Sequence, residues 1–232
     1  MRGQLRIQHH VADAPCYCSA VTIEIELHQL AVRIRDSLAL KVEGRRQDLE
    51  ADDTGHQELY RILGVPPSEC AKIDLYQNVG RFVYKYAGAL LEAATQLCLA
   101  KAGDGSRLIL PNTVSSSPTQ FEIDCYTKRD NKAHEIKWRD ATTDGDHIKK
   151  ERYKILAIVG AGHIPVRVMY YMPVRTQAVK IQQRILAEFR SQGEAYVGDE
   201  AWSYVQTYSG VDLRAELLKL DTPHAGWSRF MQ

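Results

Sequence analysis

The spacing of apolar residues changes several times along this chain, and each change marks an element. Residues 1–20 mix Gly, Gln, His, Pro and Cys with neither a helical nor a strand period, which predicts a loose N-terminal extension. From Val21 the pattern turns helical. Ile23, Leu27, Leu30, Ile34, Leu38 and Val42 recur at steps of three and four, which puts them on one stripe of a helix running to about residue 50. The abruptness of that change suggests Val21 as an alternative start of translation. Residues 52–55 read as a turn, residues 57–63 as a short helix ended by Gly64, and Pro66 and Pro67 as a stop before a second long helix from Ser68 to about residue 101. Phe82, Tyr86, Leu90, Ala93 and Leu97 share one face of that helix, with Arg81, Lys85 and Glu92 off the stripe.

Beyond loop segments at 103–105 and 111–118 the period shortens to two. Residues 120–127 and 133–140 read as strands joined by the turn-forming residues 128–131, a hairpin. Residues 147–159 return to a helical pattern that Gly160 and Gly162 stop, and residues 164–171 are β-branched and aromatic enough for a third strand. Ala178, Ile181, Ile185, Ala187 and Phe189 form a further helical stripe, followed by helical stretches near 195–207 and 211–220. Helices, hairpin, helix, strand, helices, without an internal repeat, predict a mixed α/β (α+β) fold. Its small central sheet would be flanked by helices, with a helical N-terminal part, and residues 21–232 would form a single domain.

The 232 residues hold 30 basic and 29 acidic side chains, a formal net charge of +1, so any nucleic-acid surface must be a local patch. No apolar run approaches the roughly 20 residues that cross a bilayer. Five cysteines at irregular spacing, with no signal-peptide pattern, predict a cytoplasmic chain with reduced thiols.

The chemistry concentrates in the hairpin. Side chains alternate along a strand, so Glu135 and Lys137 share a face. If Thr127 pairs with Lys132 across the turn, Asp124 falls opposite Glu135. Opposed carboxylates on a sheet repel, and a divalent cation between them would relieve the repulsion. Mg²⁺ suits such oxygen ligands, and Lys137 beside it would act on the attacking water or on charge developing at a phosphorus. The same register places Glu122 opposite Lys137, which leaves open a plain cross-strand salt bridge on a solvated face.

Asp124, ten intervening residues and then Glu135-Ile136-Lys137 resemble the PD-(D/E)xK nuclease signature, with Ile123 in place of the proline. The run from His134 to His147, HEIKWRDATTDGDH, is similar to the ApaLI-like type II restriction endonucleases. So are Tyr76-Gln77-Asn78, the run from Gly80 to Gly88, Phe121-Glu122-Ile123-Asp124 and the helix start at Arg175-Thr176-Gln177-Ala178. The resemblance spans about residues 21–220. It implies a restriction-endonuclease-like core and a Mg²⁺-dependent, site-specific endonuclease acting on double-stranded DNA. It further implies a homodimer reading a short palindrome, of the GTGCAC type in the family prototype, with a cognate DNA methyltransferase as genetic partner. Asp124 and Glu135 would hold the metal, Lys137 would be the catalytic lysine, and Glu92 is the candidate for an additional acid from a preceding helix; an acid on a helix surface is its equally available reading.

Arg139, Asp140, Thr142, Thr143, Asp144, Asp146 and His147 follow the catalytic strand directly, which suits contact with the scissile phosphate or with base edges. A capped helix start explains the same residues without DNA. Lys149, Lys150, Arg152 and Lys154 add positive charge on the next helix, which suits phosphate contact, a solvated helix face being the equally available reading, and Arg81, Tyr84 and Lys85 form a second such cluster. A repair or structure-specific nuclease of the same superfamily, and a non-catalytic DNA-binding module, are the alternatives.

Overall fold

The computed structural model describes residues 17–139 and 146–221. The zone of the expected extension that lies in 1–16, and the candidate DNA-contacting residues Asp140, Thr142, Thr143 and Asp144, fall outside the described residues. Helix α1 (Tyr17–Glu50) begins four residues before the expected boundary at Val21. Then come α2 (Gln57–Ile62), α3 (Pro67–Gly103), β1 (Gly105–Pro111), β2 (Gln120–Thr127), β3 (Lys132–Arg139), α4 (Asp146–Gly160), β4 (Ile164–Tyr171), α5 (Thr176–Gln192), β5 (Glu194–Val197), α6 (Asp199–Ser209) and α7 (Leu213–Leu218).

Five strands form one mixed sheet in the order β1-β2-β3-β4-β5. β1, β2 and β3 run antiparallel as a meander, whereas β3, β4 and β5 are parallel. Parallel neighbours need crossover connections, and α4 and α5 supply them. This agrees with the expected small central mixed sheet flanked by helices. Two strands depart from expectation. β1 lies between two segments read as loop, and only Leu110 of its side chains is buried, so its pairing with β2 rather than its own pattern makes it a strand. β5 replaces the start of the helix expected from residue 195. Tyr196 and Val197 pair with β4, and Gly198, at φ +62°, separates the strand from α6.

One face of the sheet receives α3, α1, α6 and α7. Cys125, Ile136, Val166, Val168 and Tyr170 meet Leu91, Ala94 and Cys98 of α3, Ile23 and Leu27 of α1, Val205 and Leu213. The other face receives α4 and α5, through Ile155, Ile181, Ile185 and Phe189 against Met169, and Ile158 against Ile123 and Ala133. On α3 the expected stripe of Phe82, Tyr86, Leu90, Ala93 and Leu97 is only half-buried. The sheet takes the neighbouring stripe because α3 must also serve α1, which runs antiparallel to it. Lys101 pairs with Glu26 at 2.5 Å, and Arg45 reaches Asn78 at 3.2 Å. Among the described residues no helix is long and apolar enough to cross a membrane.

The sheet is irregular where β1 meets the middle of β2. The β1–β2 ladder pairs Ser106 with Tyr126 but Leu108 with Ile123, so Asp124 and Cys125 together oppose Arg107. β2 therefore carries one extra residue at Asp124–Cys125, a bulge, and bulges re-aim side chains. The β2–β3 ladder follows the register expected from the turn, through Thr127–Lys132 and Tyr126–Ala133, and ends at Cys125–His134, beside the bulge.

Candidate active site

Beyond the His134 pair, β3 has no backbone partner on its β2 side, and carboxylates approach the N–H groups left there. The Ile136 N–H donates to Asp124 Oδ2 at 2.8 Å. The Trp138 N–H, the next to point the same way, lies near the Glu92 side chain and favours its charged form. Glu92, the helix acid that the family resemblance put forward, thus lies near the site from α3. Trp138 fits against α3 because residue 88 is glycine: a Cβ there would stand 2.6 Å from the indole Nε1.

Glu135 and Lys137 point toward α4, as alternation requires. Lys137 Nζ lies 2.9 Å from Glu135 Oε1 and 3.7 Å from Asp124 Oδ2, in the gap between the two acids. The second oxygen of Glu135, Oε2, accepts from Lys154 Nζ at 2.9 Å. The Glu135 side chain is 2% exposed, which rules out a solvated sheet face. Nor does Lys137 pair with Glu122, the bland alternative. Because the ladder ends at Cys125, Glu122 pairs instead with Arg107 of β1, at 2.6 Å.

Burial by itself pushes the Glu135 carboxyl up, but the charges of Lys154, Lys137 and Arg167 outweigh it and hold the group well below the usual carboxylate range. For Asp124 the balance tips the other way. Burial and the charge of Glu135 raise it against the opposing pull of Lys137. Burial raises Glu92 also; Lys137 opposes this and Asp124 and Glu135 add to it. For Lys137, burial favours the neutral amine, but Glu135 and Asp124 overcome it and keep the ammonium. Burial thus works against the charged forms of Asp124 and Glu92, while Glu135 and Lys137 are held in theirs.

Beneath Glu135, β4 places the fully buried Arg167 in register with it. Arg167 donates to Glu151 Oε2 at 2.9 Å and reaches Gln182 Oε1 at 3.4 Å, with Phe189 under its guanidinium. Sequence reasoning missed Arg167 and Glu151. The signal was there: Arg167 interrupts an otherwise apolar strand, and Glu151 shares the buried stripe of α4 with Ile155 and Ile158. A charge on a buried stripe needs a partner.

Residues 10–222 match the ApaLI-like restriction endonuclease family. The chain belongs to that family. Comparison with curated proteins and with solved structures found no match.

In this ApaLI-like chain the candidate DNA-contacting residues lie in several places. Arg81 and Lys85 are exposed and share with Gly88 and Glu92 one face of α3, at steps of four, three and four. Arg139 continues the Glu135–Lys137 face of β3 and is half-buried, its Nε without a partner among the described residues. Asp146 opens α4, and Lys149 pairs with it at 3.5 Å. Lys149 and Lys150 are exposed, whereas His147 turns toward Glu151, 3.9 Å away. Lys154 departs most from expectation. It points inward to Glu135 and is not open for phosphate contact.

Among the described residues no three His, Cys, Asp or Glu side chains cluster closely enough to hold a metal ion by themselves. What the ApaLI-like site offers is two converging carboxylates, Asp124 and Glu135. Hard oxygen donors in that number suit Mg²⁺, which keeps several waters and is typically bound through one or two carboxylates plus substrate phosphate.

Proposed function

We propose that this chain is a type II restriction endonuclease that hydrolyses both strands of double-stranded DNA at a short palindrome, with Mg²⁺ held by Asp124 and Glu135. The supporting observation is the convergence of two buried carboxylates on one lysine where a bulge parts β2 from β3. The raised Asp124 carboxyl fits the same reading, since a cation beside it would offset the burial and the Glu135 charge that disfavour its ionised form. Bound there, Mg²⁺ would supply Lewis-acid polarisation of the phosphodiester.

The chain's own residues do the rest. Asp124 and Glu135 orient the site, each fixed by bonds of its own, to the Ile136 N–H and to Lys154. Lys137 donates from Nζ toward the attacking water or the phosphate oxygens as negative charge grows on them. Glu92, close enough to feel the charges of Lys137, Asp124 and Glu135, adds a third acid at the edge. A palindromic target calls for two-fold symmetry, hence a homodimer, with Arg81, Lys85, Arg139, Lys149 and Lys150 as candidates for the DNA-facing surface. A DNA methyltransferase of the same specificity would protect the host genome.

The test is incubation of unmethylated phage DNA with the purified protein in Mg²⁺, in EDTA, and with Lys137→Ala, followed by sequencing of the fragment ends. Discrete Mg²⁺-dependent fragments that share one palindrome and vanish in the variant are expected. A sequence-independent smear would replace this reading with a repair nuclease, and intact DNA that is nevertheless bound would replace it with a binding module.

A further inference from the structure

Glu135 is gripped from two sides by lysines that are not equivalent. Lys137 comes from the same strand, its side chain 27% exposed, and its Nζ also faces Asp124. It stands where a cation bridging the two acids would stand, so an entering cation and the Lys137 ammonium compete for one place. Lys154 comes from α4 with its side chain 16% exposed, and holds the other oxygen of Glu135 at 2.9 Å. The acid one turn earlier on α4, Glu151, is already taken by Arg167. Nothing in this arrangement requires Lys154 to move when Lys137 does.

We infer that Lys154 is a positioning residue that caps Oε2 of Glu135, leaving Oε1 as the one oxygen this carboxylate presents to a divalent cation. The inference rests on the two-carboxylate metal site proposed above. A carboxylate with both oxygens free can grip a large cation as a chelate, the habit of Ca²⁺ sites, whereas Mg²⁺ demands near-octahedral geometry with short bonds. Capping one oxygen therefore biases the site toward Mg²⁺. It also gives up cation affinity, because a positive charge remains beside the metal position.

Lys154→Met should then have two opposite effects: tighter cation binding and slower cutting. A strut that only supports the fold would lose both. The experiment titrates Ca²⁺ by calorimetry, without DNA, into the wild-type protein, Lys154→Met, Lys154→Arg and Glu135→Gln. Thermal melts check folding, and single-turnover cleavage in Mg²⁺ is measured beside it. Lys154→Met is expected to bind Ca²⁺ roughly tenfold more tightly, as removal of a neighbouring charge allows, and to cut about tenfold more slowly or worse. Lys154→Arg, which keeps charge and donors, is expected to return both quantities toward wild type.

Ca²⁺ binding by Lys154→Met that is unchanged or weaker would overturn the capping role, as would unchanged cleavage. Should that variant melt below the assay temperature, Lys154→Gln, which loses the charge but keeps a polar head, is judged by the same two signs. Failure of the underlying reading looks different. In that case Glu135→Gln binds Ca²⁺ as the wild type does, or neither binds, whatever the Lys154 variants show.

Discussion

Asp124 Oδ2 takes the backbone N–H of Ile136 at 2.8 Å, filling the place of a carbonyl on a strand that has turned away. The acid proposed to hold metal thus also closes the β2–β3 junction. Ile136 is fully buried, so removing its acceptor leaves a buried donor unpaired. Asp124→Ala is expected to lose about 1–3 kcal/mol of stability in urea unfolding, in addition to cleavage. Asp124→Asn keeps an oxygen for the Ile136 N–H and is expected to abolish cleavage at little cost in stability. If Asp124→Ala proves as stable as Asp124→Asn, the bond has no structural weight.

Gly88 and Trp138 set how closely β3 lies against α3. A methyl group at residue 88 would come within 2.6 Å of Trp138 Nε1 and 2.7 Å of Cδ1. Overpacking of that kind costs about 1–3 kcal/mol, against about 1 kcal/mol gained from replacing a helical glycine by alanine. The clash wins wherever the indole cannot slide. Gly88→Ala is therefore expected to melt a few degrees lower, at roughly 2–4 °C per kcal/mol for a chain of this size. Because Trp138 directly follows Lys137, cleavage should fall further than stability accounts for.

Glu92 bears on pH. Burial, aided by Asp124 and Glu135 against the pull of Lys137, raises its carboxyl above the ordinary value of 4.5. A carboxyl raised in the folded state favours the fold while protonated. That stability is fully present below the unfolded value and is lost as pH rises through the folded one. Glu92→Gln removes the penalty and keeps the size and polarity of the side chain. Without divalent cations the variant should melt higher than wild type at pH 8 and equally at pH 4. A difference that does not depend on pH would mean that charge is not the cause.

How much of the fold and site was legible in the sequence depends on where the controlling contacts lie. β2 and β4 have the expected bounds because alternation and β-branching are local, and the Thr127–Lys132 turn carries the register as far as Cys125–His134. The grouping of Asp124, Glu135 and Lys137 followed from that register, although the expected Asp124–Glu135 pair does not form: the ladder stops one pair earlier and Asp124 accepts the Ile136 N–H instead. The bulge did not, because the extra residue is absorbed only when β1 pairs with β2, and nothing in Ile123-Asp124-Cys125 announces it. Glu92 was a candidate only by analogy, since a helix period places it on a face without saying what that face meets. Lys154 reads in the sequence as one of four cations on α4 suited to phosphate contact or to a solvated face. Its inward turn depends on a buried acid 19 residues earlier on another element, a relationship no local period contains.

His134 gives the sharpest pH dependence. It closes the ladder just before Glu135, its Nδ1 3.1 Å from the Cys125 carbonyl and its Nε2 2.8 Å from the Tyr204 hydroxyl. With Nδ1 donating to the carbonyl and the Tyr204 O–H donating to Nε2, the ring is satisfied in its neutral form. Burial lowers its pKa from 6.5 to about 4. The unfolded chain therefore binds the proton more readily, and stability present above pH 6.5 is lost as pH falls toward 4. The shift corresponds to about 3 kcal/mol. His134→Gln has no proton to take up, so between pH 7.5 and pH 4.5 its unfolding free energy should fall by about 2–3 kcal/mol less than that of the wild type. The other titrating groups, common to both proteins, cancel in that difference. Equal losses in urea titrations at the two pH values would show that His134 is not the proton acceptor whose uptake opens the β2–β3 junction in acid.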